Sequence, residues 1–253
     1  MSQTKIVAIS SFPCYGNAGL KPMLTILSGH LIPVPSILLT ATSDIPGFIK
    51  TSTAFETLLE GTLEFCKDSG MKVVLFCGYF YKASQIDFTV KMYYKYKVII
   101  TSVILDPIMG DDGRIYVEKE ILNSMPRILA IANIVIPNIT ELGVLASGNL
   151  DINGQIQELL SQHPALTIIV KSIRSKKERI GIKIRSLQTY CDIYHRYIPV
   201  KFGGTGDVFV SYFINNYIIN KISLPQSVKK AAHETLKCIK KSIKLGGNEL
   251  ICV

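Results

Sequence analysis

The sequence lacks most features that mark secreted, metal-binding or membrane-spanning proteins. Its six cysteines form no Cys-x-x-Cys pair and have no histidine at a metal-ligand spacing, which predicts reduced, mostly buried thiols rather than a disulfide framework or a zinc site. No apolar stretch approaches the length of a membrane span. The first residues show neither the charged and apolar regions nor the cleavage site of a signal peptide. We therefore expect a cytoplasmic protein without a membrane segment.

Acidic residues are scarce relative to basic ones. The chain has 28 lysines and arginines against 19 aspartates and glutamates, which gives a net charge of +9. The basic residues concentrate in residues 171–185 and 229–244, and in the second stretch they alternate at helical spacing with an apolar stripe. Solvated basic faces explain both stretches, and a nucleic-acid-binding surface is the alternative.

Short apolar runs alternate with helical patterns along the 253 residues. Strands are predicted at residues 6–9, 36–40, 73–77, 98–105, 134–136 and 166–170, and a meander or hairpin at residues 179–197. This alternation predicts an α/β fold with a mostly parallel central sheet and helices on both faces. With 48% hydrophobic residues and no linker, we expect a single domain over residues 1–253. Ligands of such sheets bind where the strands end.

A glycine-rich turn, Gly203-Gly204-Thr205-Gly206-Asp207, precedes a predicted helix over residues 208–216. Glycines permit positive φ, and the first amides of a helix have no intrahelical acceptor, so the turn predicts an anion-binding site. A Walker loop would need Lys-Ser or Lys-Thr after the last glycine, and a dinucleotide fingerprint would need glycine in place of Phe209. Asp207 would repel a phosphate, so we interpret it as a general base that faces a hydroxyl. The alternative is a helix-capping aspartate.

Carboxylates follow two strands that end in proline. Asp106-Pro107 ends one strand, and Asp111 and Asp112 follow on a glycine-bounded loop. Pro137 ends another strand, and Glu141 follows it. This pattern favours a site for a hard cation or for phosphates, because such cations take oxygen ligands. An Asp-rich turn and an acid in the first helical turn are the alternatives.

The loop at residues 11–19 follows the first predicted strand. It offers hydroxyls, aromatic rings and glycines, which suits a substrate-binding loop and equally a plain connection between strand and helix.

Taken together, these motifs resemble those of the pyridoxal kinases of the ribokinase-like superfamily. The resemblance rests on Ile9 to Gly19, Asp106 to Asp111, Pro137 to Glu141 and Gly204 to Asp207, in this order and at these separations, and it spans residues 6–244. It implies a three-layer ribokinase-like fold. It also implies ATP-dependent phosphorylation of the 5′-hydroxymethyl group of pyridoxal, pyridoxine or pyridoxamine.

The resemblance also implies roles for particular residues. Asp207 would be the base, and Gly204, Thr205 and Gly206 would stabilise the transferring phosphoryl group. Asp106, Asp111 and Glu141 would organise Mg²⁺. The ATP side would comprise Asn138, Lys171, Ser172, Tyr116 and Thr205. The substrate side would comprise Ser11, Phe12, Ser43 and Tyr79.

The same resemblance implies ATP and Mg²⁺ as cofactors, leaves room for a monovalent cation such as K⁺, and implies a homodimer that binds neither nucleic acid nor membrane. Three features depart from the family pattern: Ile136 replaces a common threonine, Phe12 replaces a polar residue, and residues 42–47 lack the usual His-Thr-Gly run. These departures leave open which vitamer, pyrimidine or sugar alcohol is the acceptor. Hydroxymethylpyrimidine kinase is the nearest alternative, and a non-catalytic, basic nucleic-acid-binding protein is the alternative of another class.

Overall fold

A computed structural model describes residues 3–42, 45–146, 148–175, 178–246 and 249–252. In chain order, the strands and helices are β1 (Thr4–Tyr15), α1 (Leu20–Ile26), β2 (Leu31–Ala41), β3 (Lys50–Ser52), α2 (Phe55–Asp68), β4 (Lys72–Cys77), α3 (Ala83–Lys95), β5 (Ile100–Leu105), β6 (Gly110–Asp111), β7 (Arg114–Ile115), α4 (Lys119–Leu129), β8 (Ile134–Val135), α5 (Ile139–Leu145), α6 (Ile152–Gln162), β9 (Thr167–Ser175), β10 (Arg179–Arg185), β11 (Tyr190–Arg196), α7 (Thr205–Ile214), a π-helical turn (Asn215–Ile219) and α8 (Leu224–Lys244).

The chain forms two compact units. The first unit comprises Met1–Val74 and Val200–Val253, and the second comprises Leu75–Pro199. Strand β4 contributes its first three residues to the first unit and its last three to the second. The expectation of a single kinase domain stays a prediction.

The first unit contains strands in the order β4-β1-β2-β3. The pairing of β1 with β2 is parallel, and that of β2 with β3 is antiparallel. Residues 6–9 of β1 are fully buried, as expected for a β-branched run inside a parallel sheet. Helix α8 buries one face, which includes Val228, Ala231 and Cys238, and leaves most of its lysines exposed.

The second unit contains strands in the order β11-β10-β9-β8-β5-β4. The pairs β5 with β8 and β8 with β9 are parallel, whereas β9, β10 and β11 form the antiparallel end that the predicted hairpin required. Strands β6 and β7 form a small separate ladder. The predicted α/β fold with a mostly parallel sheet is therefore confirmed.

Several predicted boundaries are wrong, and three of them bear on the candidate site. Strand β1 continues through Ser11 and Phe12, which were expected in a loop, because its pairing with β2 resumes after a bulge at Ser10 and Ser11. Strand β9 passes beyond Val170 to residue 175, because β10 pairs along its second half. Strand β8 ends at Val135, one residue before the predicted end, and α5 begins directly after the Pro137-Asn138 pair.

Among the helices in the described ranges, none is both long enough and apolar enough to span a bilayer.

Candidate functional site

The glycine-rich turn of the first unit leads into helix α7 earlier than predicted. The helix begins at Thr205 rather than at residue 208, and Gly204 is its N-cap with φ of 79°. That angle lies in the left-handed region, which glycine adopts without steric cost. Thr205 donates its hydroxyl hydrogen to the carbonyl of Phe202 at 2.9 Å, so this side chain fastens the turn from within. The amides of Gly206 and Asp207 lie in the first helical turn, where backbone N–H groups lack intrahelical acceptors.

Asp207 is the third residue of α7, and the interpretation as its N-cap is therefore wrong. Its Oδ2 atom accepts a hydrogen bond from the amide of Gly19 at 2.9 Å, across 188 residues of sequence. Its own carbonyl accepts the hydroxyl of Ser211 at 2.6 Å. The half-buried carboxylate is thus held in place at the positive end of a helix while part of it stays accessible.

The chain segments around Asp207 approach so closely that two glycines have no substitute. A Cβ atom at Gly204 would lie 2.0 Å from the carbonyl oxygen of Asn17, and one at Gly19 would lie 2.1 Å from that of Ser11. Gly19 also has φ of 58°. The connection between β1 and α1 is therefore packed directly against the glycine-rich turn.

The predicted substrate residues fall in different places. Ser11 and Phe12 are half-buried in the second half of β1, and the hydroxyl oxygen of Ser11 lies 2.7 Å from the ideal Cβ position of Gly19. Ser11 is thus beside the residue that holds Asp207. Ser43 lies outside the described residues. Tyr79 belongs to the second unit, where burial raises the pKa of its phenol.

The second unit contains a buried ion pair that the sequence did not predict. Asp106, which directly follows β5, is 1% exposed, and its Oδ1 atom lies 2.5 Å from Nζ of Lys171 on β9. The side chain of Lys171 is 13% exposed. The Oδ2 atom of Asp106 is buried and has no hydrogen-bond partner among the described residues. One oxygen of this carboxylate is therefore paired, and the other remains available to a ligand.

Glu141 and Asn138 hold the start of α5 together. The side chain of Asn138 accepts from the amide of Glu141 at 2.9 Å, and the side chain of Glu141 accepts from the amide of Asn138 at 2.7 Å, which is a complete capping box. The Nδ2 atom of Asn138 donates to the carbonyl of Gly110 at 2.8 Å. Glu141 also accepts a longer bond, 3.4 Å, from the amide of Met109. Both side chains therefore stabilise the start of α5, besides any role in binding.

The carboxyl group of Glu141 has an unusual pKa. The pKa is raised from 4.5 to about 8: burial is the largest cause and the negative charge of Asp106 adds to it, while the charge of Lys171 and two backbone amides act in the opposite direction. Glu141 is 2% exposed, so desolvation of its carboxylate is the dominant cause of the raised pKa. Asp106, Lys171 and Glu141 form one electrostatically linked group, called here the buried triad.

The remaining predicted residues lie on the surface. Asp111 is exposed, and its Oδ1 atom accepts from the amide of Asp112 at 2.9 Å. Tyr116 is 56% exposed, and its amide donates to the carbonyl of Met109. Ser172, next to Lys171, is exposed and has φ of 64°.

The two carboxylates of the buried triad could supply part of the ligand set of a magnesium ion. In the part of the chain that is described, no group of three or more His, Cys, Asp and Glu side chains is placed to hold a metal ion. Mg²⁺, however, commonly takes only one or two carboxylates together with phosphate oxygens and water. The unpartnered Oδ2 atom of Asp106, with Glu141 nearby, fits that smaller set. A metal role for Asp106, Asp111 and Glu141 stays a prediction.

Two contributions escaped the reasoning from sequence. Gly19 holds Asp207 through its backbone amide, whereas the sequence marks it only as the last glycine of the loop at residues 11–19. Lys171 was expected on the nucleotide side, and nothing in the sequence relates it to Asp106, which lies 65 residues earlier.

Comparisons with known proteins agree with the fold. A family model described as phosphomethylpyrimidine kinase matches residues 54–251. The crystal structure of pyridoxal kinase from Entamoeba histolytica is 23% identical, covers 95% of this chain and 90% of that chain, and has a TM-score of 0.83. Pyridoxal kinase from Leishmania donovani in complex with ADP and pyridoxamine is 20% identical, with coverages of 95% and 88% and a TM-score of 0.80.

A nematode relative matches a smaller part of the chain. A Caenorhabditis elegans protein, provisionally named a pyridoxal kinase, is 25% identical over 122 residues, which is 45% of this chain. The chain spans only 38% of that relative's length. These matches favour a kinase over the alternative of a nucleic-acid-binding protein.

Proposed function

The chain belongs to the phosphomethylpyrimidine kinase family, and on that premise we propose that it transfers the γ-phosphoryl group of ATP to the 5′-hydroxymethyl group of pyridoxal, pyridoxine or pyridoxamine. The observation that carries the proposal is the Asp207 carboxylate, fixed by the Gly19 amide in the first turn of α7. Two similar folds belong to pyridoxal kinases, one of them in complex with ADP and pyridoxamine.

In the proposed reaction, Asp207 accepts the proton of the acceptor hydroxyl. The hydroxyl oxygen then bonds to the γ-phosphorus of ATP, and the bond from that phosphorus to the bridging oxygen breaks. The electron pair leaves with ADP, and the product is a phosphate monoester. The amides in the first turn of α7, which lack intrahelical acceptors, and the turn at Gly204 offset the charge on the transferring group, because phosphoryl transfer depends mostly on positioning and electrostatic stabilisation.

The buried triad would serve the nucleotide side of the same reaction. Asp106 and Glu141 are the residues that would hold Mg²⁺, with Asp111 as a further ligand candidate. When bound, this ion neutralises negative charge on the phosphates. Asn138, Lys171, Ser172 and Tyr116 stay assigned to the nucleotide side. We further propose a cytoplasmic homodimer, as the resemblance implies.

A hydroxymethylpyrimidine is the second candidate acceptor. The observation in its favour is the description of the matching family model, which names phosphomethylpyrimidine kinase. Both acceptors present a hydroxymethyl group on a heteroaromatic ring, so Asp207 would act on either in the same way.

An ATP-consumption assay over four acceptors tests the proposal. Pyridoxal, pyridoxine, pyridoxamine and hydroxymethylpyrimidine are each supplied with ATP and Mg²⁺, and the phosphorylated product is identified by mass. We expect turnover on at least one B6 vitamer with a higher kcat/KM than on the pyrimidine. A preference for the pyrimidine selects the second candidate. No turnover on any acceptor, together with salt-sensitive binding to DNA or RNA, would overturn the kinase assignment.

A further inference from the structure

Asp106 carries a negative charge in a place that water barely reaches. The residue is 1% exposed, and an isolated carboxylate there would be costly to desolvate. Among the described residues, the cation within bonding distance is the Nζ atom of Lys171, 2.5 Å from Oδ1. A buried charge with such a partner depends strongly on it, because removing one member leaves the other uncompensated.

The backbone of β9 is shaped to deliver this lysine. Between the pairs Ile173 with Gly181 and Val170 with Lys183, β9 contains two residues, Lys171 and Ser172, where β10 contains one. This is a β-bulge, a device that redirects a side chain and occurs often beside functional sites. Ser172 pays a conformational cost for it, since its φ of 64° is unfavourable for any residue other than glycine.

The bulge separates the two neighbouring side chains. Ser172 is exposed, whereas the Lys171 side chain is largely buried and reaches Asp106. The amide of Lys171 is itself anchored, because it donates to the carbonyl of Pro137 at 2.9 Å. A lysine that is merely on the surface would need neither the bulge nor the anchor.

From this geometry we propose that the ammonium group of Lys171 is a built-in monovalent cation, which occupies the position on Asp106 that a K⁺ ion could otherwise take. The inference rests on the proposed function for its role in catalysis. An ammonium group and K⁺ carry the same charge, and the ammonium group adds three hydrogen-bond donors. Because the lysine is covalently attached, the charge on Asp106 stays compensated whatever the salt composition.

The pairing divides the carboxylate of Asp106 between two tasks. Lys171 takes Oδ1, and Oδ2 is left without a hydrogen-bond partner among the described residues. Oδ2 can therefore serve the nucleotide-associated divalent cation while the lysine maintains the charge balance. Lys171 acts in this proposal as a positioning residue and contacts no reacting atom.

Thermal unfolding without substrates gives the first test. The wild-type midpoint is measured in KCl, in methylammonium chloride and in tetramethylammonium chloride at equal ionic strength, and we expect no difference among the three. Lys171→Ala should unfold on the order of 10 °C lower in tetramethylammonium, because Asp106 loses its counter-charge. Excess K⁺ or methylammonium should restore at least half of that loss, since both are small enough to approach Oδ1 closely, whereas the four methyl groups of tetramethylammonium keep its charge at a distance.

Two variants separate this effect from general ion pairing and packing. Lys171→Met fills the space with an apolar chain, so its midpoint should fall without any response to small cations. Lys183→Ala removes another lysine of similar exposure, which pairs with Asp192 at 2.9 Å, and should likewise show no response specific to K⁺. A Lys171→Ala protein that is indifferent to K⁺ and methylammonium would overturn the proposal.

The wild-type enzyme supplies a measurement that does not depend on a folded variant. Its turnover of the vitamer should change less than about twofold when K⁺ replaces tetramethylammonium, whereas Lys171→Ala should require K⁺ for most of its turnover. A wild-type midpoint or turnover that rises with K⁺ would contradict the built-in cation even if Lys171→Ala cannot be purified. Absence of turnover on any acceptor would instead contradict the proposed function, because the unfolding midpoints are measured without substrate.

Discussion

Replacement of Asp207 by asparagine separates a catalytic role from a structural one. Asparagine keeps the size of the side chain and one oxygen that can accept the Gly19 amide, now 2.9 Å from Oδ2. It removes the negative charge and the ability to take a proton. The proposed mechanism therefore predicts a large fall in kcat with a nearly unchanged backbone.

The two effects have different expected magnitudes. A general base contributes about 10²- to 10⁴-fold to kcat, which corresponds to roughly 3 to 5 kcal/mol in activation free energy. The structural loss is smaller. A hydrogen bond to a charged acceptor becomes a neutral one, and a favourable charge disappears from the first turn of α7, which together cost about 1 to 3 kcal/mol of unfolding free energy.

The assay combines steady-state kinetics with thermal unfolding. For a chain of this size, the expected loss of stability lowers the unfolding midpoint by about 2 to 10 °C. Binding of ATP should be retained or improved, because a carboxylate near the phosphates is removed. Glu56→Gln is a matched control, since it makes the same chemical change at an exposed acid in the first turn of α2 and should leave kcat unaltered.

The outcome that refutes the reasoning is specific. A folded Asp207→Asn protein that phosphorylates its acceptor within about threefold of wild type would show that Asp207 is not the base, because that margin lies far below the expected contribution. In that case the bond to Gly19 would be the whole role of the side chain.

Three further predictions follow from the geometry. Gly204→Ala should lose at least about 2 kcal/mol of stability and most activity, because its Cβ would lie 2.0 Å from the carbonyl oxygen of Asn17. Gly29 is the control: it has φ of 78° and no neighbour within 4 Å of an added Cβ, so Gly29→Ala should lose only about 1 kcal/mol in the same urea titration. Equal losses would contradict the steric argument. Ser11→Ala should raise KM for the vitamer by about 3- to 10-fold with KM for ATP unchanged, and a rise confined to ATP would reassign β1 to the nucleotide. Burial raises the pKa of Glu141 from 4.5 to about 8, so the folded protein keeps a proton that the unfolded chain loses, and this group's contribution to stability falls as pH rises from about 4.5 to about 8. Glu141→Gln, which keeps the capping box, should flatten that part of the pH profile of unfolding free energy, and parallel profiles would show that the carboxyl titrates normally.

Local patterns in the sequence were sufficient to predict the class of fold. Apolar β-branched runs mark buried parallel strands wherever they occur, so the run at residues 73–77 differs from β4 by one residue at its start. The two antiparallel strands predicted within residues 179–197 are likewise present as β10 and β11. These features depend on neighbouring residues and on burial, and both leave a periodic signal.

The ends of several elements could not be predicted in this way. The second half of β1 contains serines and a cysteine, and that of β9 contains serines, a lysine and an arginine. These residue types do not predict a strand. Both segments are strands because β2 and β10 supply hydrogen-bonding partners beside them. Pairing across the sheet overrides local preference, and it placed Ser11, Phe12 and Lys171 in strands instead of loops.

The sequence by itself determined which groups are available for chemistry: a glycine-rich turn with an acid, and acids after proline-terminated strands. Only the tertiary structure decided what these groups contact. Asp207 is fixed by an amide 188 residues away, and Asp106 is neutralised by a lysine 65 residues away that a β-bulge turns inward. Such contacts depend on strand register and backbone conformation, which are properties of the paired chain segments and not of any one of them.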